Sequence, residues 1–194
     1  MSTPYRSSRL ERGATLVVSL IMLVLVTLIA TMGVRISISD ERGARATQQR
    51  QLAFQAAEAG LRDAEADLTA GTRTALFASA PTGFATGCPD AATIAATPNL
   101  RGLCLPAGVS STPLWQTVDF ATRGVAYGTF TGQTWPGAGA APRYVIETYP
   151  FITPGGAAGG PRRPALPELV YRITATASNP TGDHVVGLQS AFRR

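Results

Sequence analysis

Apolar positions are distributed very unevenly along this chain. The stretch GATLVVSLIMLVLVTLIATMGV, Gly13 to Val34, contains no charged residue and is bounded by Arg12 and Arg35. Leu, Ile, Val and Met fall on every side of a helical projection, unlike the single stripe of a soluble surface helix. As an α-helix the segment would be roughly 33 Å long, enough to cross the hydrocarbon core of a bilayer. Its polar members, Thr15, Ser19, Thr27 and Thr31, are small enough to return their hydroxyls to the helix backbone. The pattern predicts a membrane-spanning helix.

Beyond Arg35 the pattern changes without an obvious break. Residues 35–70 are rich in Ala, Gln, Glu and Arg, which favour helix, with Gly43 and Gly60 as the weak points. Phe54, Ala57, Leu61, Ala64 and Leu68 recur at spacings of three and four and predict one buried helical face. Arg62, Asp63, Glu65 and Asp67 lie largely off that stripe. The expected element is therefore a single long helix, apolar in its first half and amphipathic in its second. Gly33 is its expected soft point and Gly71 its stop.

The C-terminal end switches to a period of two. In Glu168–Ser178, Leu169, Tyr171, Ile173, Ala175 and Ala177 alternate with Val170, Arg172, Thr174, Thr176 and Ser178, which predicts a half-buried strand. Asn179-Pro180-Thr181-Gly182-Asp183 reads as a turn, and Val185–Phe192 as the returning strand, with Val186, Leu188 and Phe192 on one side. Arg123–Phe130 and Arg143–Tyr149 have strand composition. The remainder of 72–142 is rich in Ala, Thr, Gly and Pro with weak periodicity, and Pro154–Pro164 is a low-complexity loop. Together these elements predict an α+β fold in which a long helix packs on a small antiparallel sheet, the hairpin covering the amphipathic face.

Charge adds a direction. All 17 basic residues are arginines, against 12 acids, for a net charge of +5. Arg6, Arg9 and Arg12 precede the apolar segment with only Glu11 opposing them, which predicts a cytoplasmic N-terminus and an exported remainder. A cleaved secretory signal would have a shorter apolar core and an A-x-A-like site, and Ile29-Ala30-Thr31-Met32-Gly33 is a poor one. The other options are a permanent single-pass anchor and a helix first anchored, then extracted. The scattered arginines form no nucleic-acid-binding stripe.

Few residues could support catalysis. Without lysine there is no Walker A motif and no Schiff base, and neither G-x-S-x-G nor H-E-x-x-H occurs. His184, the one histidine, sits beside a turn, and Asp183-His184 alone makes no metal site. Glu58, Asp63, Glu65 and Asp67 are an acidic group by composition, but alternate helix positions point different ways. No enzyme, cofactor or metal is expected. Cys88 and Cys104 suggest a disulfide in an exported domain, with free thiols as the alternative and a spacing that fits no zinc pattern.

The short basic leader ending in Gly13, followed by a charge-free helix that becomes amphipathic, resembles the type IV pilin family. More specifically RGATLVVSLIMLVLVTL, QLAFQAAEAGLRDAEADL and YRITATA with VVGLQSAFRR are similar to the PilX-type minor pilins. The resemblance covers roughly residues 8–70 and 168–194. It implies a leader, 1–13, cut between Gly13 and Ala14 by a prepilin peptidase at the inner membrane. It also implies a transmembrane and filament-core helix over 14–34, an amphipathic helix over 35–70 and an exported globular domain over 71–194. The implied partners are the major pilin and other minor pilins, with room for a tip adhesin.

One departure from the family pattern matters. Val18, the fifth residue after the expected cleavage, stands where major pilins carry a glutamate. A valine there implies a low-copy subunit that primes assembly of the pilus or caps it. The K-type pseudopilin of type II secretion shares that departure and stays open as an alternative, as does a generic membrane-anchored periplasmic binding domain.

Overall fold

The computed structural model describes residues 11–77, 83–108, 111–151, 168–182 and 185–193. Arg6 and Arg9, the whole of the loop expected at 154–164, and Asp183-His184 lie outside them. The chain forms two compact units, Met1–Thr47 and Gln48–Arg194.

The first unit is helical. Helix α1 spans Glu11–Ala70 and includes Gly33 and Gly43. Gly13–Met32 has a mean hydropathy of 2.7 and none of it is buried against the rest of the protein. An apolar surface of this size is unfavourable in water, so its solvent is lipid or another helix. As the sequence predicts, the hydroxyls turn inward along the helix. Ser19 donates to the Leu16 carbonyl, Thr27 to that of Val24 and Thr31 to that of Leu28, at 2.8–2.9 Å.

In the second unit the C-terminal part of α1 packs on one face of a six-stranded sheet. Its strands are β1 (Ala85–Thr86), β2 (Leu103–Leu105), β3 (Val125–Ala126), β4 (Arg143–Phe151), β5 (Glu168–Ser178) and β6 (Val185–Arg193). The order is β1-β2-β4-β5-β6, with β3 also paired to β4. The β4–β5–β6 meander is antiparallel, as expected, but β1–β2 and β2–β4 are parallel, so the sheet is mixed. The two parallel additions are too short to show a period in the sequence. The two long C-terminal strands form where the alternation placed them. Arg123–Phe130 contributes only Val125–Ala126, because Gly124 and Gly128 (φ 77°) bracket it and the chain turns at once.

The inner face of the sheet carries Leu103, Tyr144, Ile146, Tyr171, Ile173 and Ala175, packed on Ala64 and Leu68 of α1. Ala56 and Ala57 meet Ala177, Val186 and Leu188 nearer the hairpin turn. The buried helical face differs from the expected one in two respects. Phe54 is 45% exposed, and Asp63 and Asp67 are buried. Small residues explain the shift: Ala53, Ala57 and Gly60 let the sheet approach closely, and a Cβ at Gly60 would lie 3.1 Å from Pro142 and 3.3 Å from Ala175. Phe54 does not fit so narrow a gap.

A second layer covers part of the outer face. Helix α2 (Ala91–Ala96), capped by the Asp90 carboxylate accepting from the Thr93 amide at 2.8 Å, and helix α3 (Leu114–Thr117) lie in the segment of weak periodicity. Hydrogen bonding from Thr93, from its side chain first and its amide second, holds the Asp90 carboxyl below its usual range. Leu114, with Val118 and Phe120, packs on Cys88, Cys104 and Val145.

Candidate functional site

The two buried aspartates fasten α1 to the rest of its unit. One turn apart on the helix, both point into the sheet side. Asp63 accepts from the Gly128 amide at 2.8 Å and from the Thr131 hydroxyl, which holds the turn after β3. Asp67 receives the Arg73 guanidinium, with Nη2 at 2.6 Å and Nε at 3.0 Å from Oδ2, and the Tyr144 hydroxyl at 2.9 Å.

Arg73 is saturated. Its Nη1 donates to the carbonyls of Asn99 and Arg101 at 2.7 and 2.6 Å, and its guanidinium lies 3.8 Å from the centroid of the Phe130 ring. Both members of this ion pair are fully buried, a situation tolerated only when every donor and lone pair finds a partner. Gly71 makes the link possible, since a Cβ there would come within 2.8 Å of the Asp67 backbone. Burial, together with the neighbouring Asp67 charge, pushes the Tyr144 hydroxyl far above its ordinary range.

Two further fixings secure the outer layer. Cys88 and Cys104 are disulfide-bonded, with Cα atoms 4.2 Å apart, tying the β1 turn to β2. Cys88 itself sits at φ 69°, and the turn before it is held by Arg123 donating to the Gly87 carbonyl at 2.7 Å. Across β4 and β5, Arg172 grips the fully buried Glu147 with two 2.8 Å bonds and lies 4.8 Å from the Tyr149 ring centroid. Hydrogen bonding to Glu147 raises the already high pKa of Arg172 further, and burial raises that of Tyr149.

The residues singled out in the sequence are distributed as follows. Val18 is exposed on the apolar part of α1, and Gly13 and Ala14 lie in its first turns with nothing packed on Gly13. Cys88 and Cys104 are joined. The acidic group on the helix is split: Asp63 and Asp67 point inward, while Glu65 accepts from Ser190 at 3.4 Å. Among the described residues no group of three or more His, Cys, Asp and Glu side chains could hold a metal ion. Arg73 and Tyr144 were not visible as site residues. The available clue was an aspartate at three- and four-residue spacing from small apolar positions, with an arginine just past the helix stop.

Residues 12–62 match the PilX N-terminal family model, and residues 100–194 match the model described as type IV pilus assembly protein PilX C-term. The chain belongs to the PilX family. No curated protein and no solved structure matches it. The N-terminal match of this PilX-family chain spans most of α1, and the C-terminal match runs from the residues before β2 to the end of β6. Between them fall Asp63, Asp67, Arg73 and Cys88, so the fixings described above begin in a segment that neither match covers. Membership and the apolar helix make this a membrane-anchored pilin, related to type IV pilus assembly and working with other pilus components. Membership in that family points to a structural role and not an enzymatic one.

Proposed function

We propose that this chain is a low-copy minor pilin that primes assembly of a type IV pilus or caps its tip. The observation that carries the proposal is a PilX-family helix whose filament-facing segment bears no charge from Gly13 to Met32, with Val18 at the fifth position after the leader glycine. A glutamate there would need a partner amine in an apolar bundle, because an unpaired buried charge costs several kcal/mol. A subunit with valine neither needs nor supplies that pairing, which suits a place where the repeating contact ends.

In this reading the N-terminus is cytoplasmic, a prepilin peptidase cuts between Gly13 and Ala14, and the globular unit is periplasmic. Residues 14–34 then exchange lipid for the helices of other pilins. Both surroundings are apolar, so packing and a few polar contacts decide the exchange. The head, braced by its disulfide and its buried ion pair, faces the other minor pilins and, at the tip, an adhesin.

Deleting the gene tests this. Surface pili should fall sharply while the major pilin accumulates in the inner membrane, and sheared pili from the parent strain should contain only traces of this chain. An abundant, regularly spaced presence along sheared pili overturns the proposal. Val18 also suits a pseudopilin, and loss of protein secretion with pili intact would favour that second reading.

A further inference from the structure

The two edges of the sheet are built differently. On one side it ends in β1, only Ala85–Thr86, too short to template another chain. On the other it ends in β6, nine residues long, whose pairing with β5 keeps one register from Val170↔Arg193 to Ser178↔Val185 without a bulge. In an antiparallel pair every second residue turns its amide and carbonyl away from the partner strand. Among the described residues no strand pairs with that outward side of β6.

Sheet edges left open in soluble proteins are normally guarded by proline, lysine, a bulge or brevity. Residues 185–192 hold no proline and no charge, and Val185 is 70% exposed. Val186, Leu188 and Phe192, on the helix side, stay half-buried because nothing flanks them beyond the edge.

Immediately behind this edge, on the outer face, lies a groove of about 400 Å³ lined by Trp115, Thr174, Thr176, Gly187, Leu188 and Gln189. Trp115, on α3, forms one wall of the groove and is 44% exposed. Gly187 leaves the floor open, and Gln189 is held down by donating from Nε2 to the Thr174 hydroxyl at 3.0 Å. No charged side chain lines the groove. Side chains of a strand added to β6 would alternate between the two faces of the sheet. Those on the outer face would point along this groove, and those on the inner face would close over Val186, Leu188 and Phe192.

We propose that β6 accepts an extended strand from a neighbouring pilus subunit, which extends the sheet and places one bulky apolar or aromatic side chain against Trp115. The backbone ladder supplies the attachment, and the groove selects the partner by an uncharged side chain at one alternate position. The proposal rests on the chain assembling with other pilus subunits and adds the surface and the form of the contact.

Site-specific photocrosslinking of the full-length chain in piliated cells tests it. A p-benzoylphenylalanine at the position of Gln189 or of Ala191 should give a discrete adduct with another pilus subunit, mapped by mass spectrometry to one extended segment of it. The same probe at Ala92, exposed on α2, should give none. Trp115→Ala should reduce the adduct about tenfold, as removal of a central aromatic anchor does, while the protein keeps its disulfide and its level in the membrane. Ala191→Lys, which puts a charge on the edge without touching the core, should reduce the adduct formed by the probe at Gln189. Absence of an adduct from β6, or an adduct with a second copy of this chain, overturns the proposal. The outcomes separate from those for the proposed function: lost pili without a β6 adduct defeats only the strand contact, and a β6 adduct with pili unaffected by deletion defeats only the priming role.

Discussion

Arg73 and Asp67 face each other six residues apart, across the end of α1, with neither side chain exposed to solvent and Nη2 2.6 Å from Oδ2. The pair joins the end of the helix to the segment that leads into β2, since Arg73 also binds the Asn99 and Arg101 carbonyls. Removing one partner leaves an uncompensated buried charge, which typically costs about 3–5 kcal/mol. Asp67→Ala or Arg73→Met should each lower the stability of the full-length chain in detergent by about that much, measured by pulse proteolysis in urea. The double variant should be less damaging than the sum of the singles. Additive losses would mean that the two residues act independently.

Tyr144 gives the same cluster a pH signature. Its folded-state pKa is raised above the ordinary 10.0, first by burial and then by the Asp67 charge. A raised pKa means that the folded chain holds the proton more tightly than the unfolded one. The contribution is therefore complete below pH 10 and is lost as pH rises above it, at roughly 1.4 kcal/mol per pH unit. Tyr144→Phe should cost about 1.5–3 kcal/mol at pH 7 through the lost bond to Asp67. The variant and the parent should then converge as pH rises about one to two units above 10. Parallel stability curves over that range would contradict the assignment.

Period and punctuation explain which parts of this architecture were legible in the sequence. The long helix, its end at Gly71, and the β5–β6 hairpin follow from the charge-free run, a glycine stop and a sustained alternation. Asp63 and Asp67 defeated the same method because hydropathy assigns aspartate to solvent. Their partners, Gly128, Thr131, Arg73 and Tyr144, lie elsewhere in the chain and leave no local periodicity. The face shifted for a related reason: Ala53, Ala57 and Gly60 are weakly hydrophobic, yet their small size decides how closely the sheet can approach. Strands of two or three residues, such as β1, β2 and β3, are held by their neighbours and lack a pattern of their own.

The disulfide closes a loop of 16 residues in sequence separation around α2. In the chain-entropy model such a loop contributes about 3 kcal/mol. Cys88→Ser should lower stability by about 2–4 kcal/mol, and the native, unreduced protein should resist alkylation at both cysteines. Reaction of both thiols before reduction would overturn the pairing.

Gly60 tests the close approach of helix and sheet. An added Cβ meets Pro142 and Ala175 at 3.1 and 3.3 Å, and a branched side chain has nowhere to extend. Gly60→Val should therefore destabilise the chain by about 1–3 kcal/mol through overpacking. Gly43, where an added Cβ meets nothing within 4 Å, provides the control. Gly43→Ala should be neutral or slightly stabilising, because alanine favours helix by about 1 kcal/mol. Equal effects at the two positions would show that helix propensity, and not packing, governs Gly60.

The N-terminal segment yields a prediction about charge. Val18 sits within Gly13–Met32, where every described side chain is exposed to whatever surrounds the helix. In lipid a carboxylate near the middle of a helix costs about 2.5–3.5 kcal/mol on insertion scales. Position 18 lies near one end of the span, so snorkelling towards the interface reduces that penalty. Val18→Glu should therefore still insert, and its membrane level should match the parent by immunoblot. The effect on assembly depends on the neighbours: if no partner amine faces position 18, the carboxylate gains nothing in the filament and is worse off among apolar helices. Pilus number should then stay level or fall when this variant replaces the parent chain. A marked rise in the copies of this subunit recovered along sheared pili would show that a neighbouring N-terminus was available after all, and would overturn the capping or priming role.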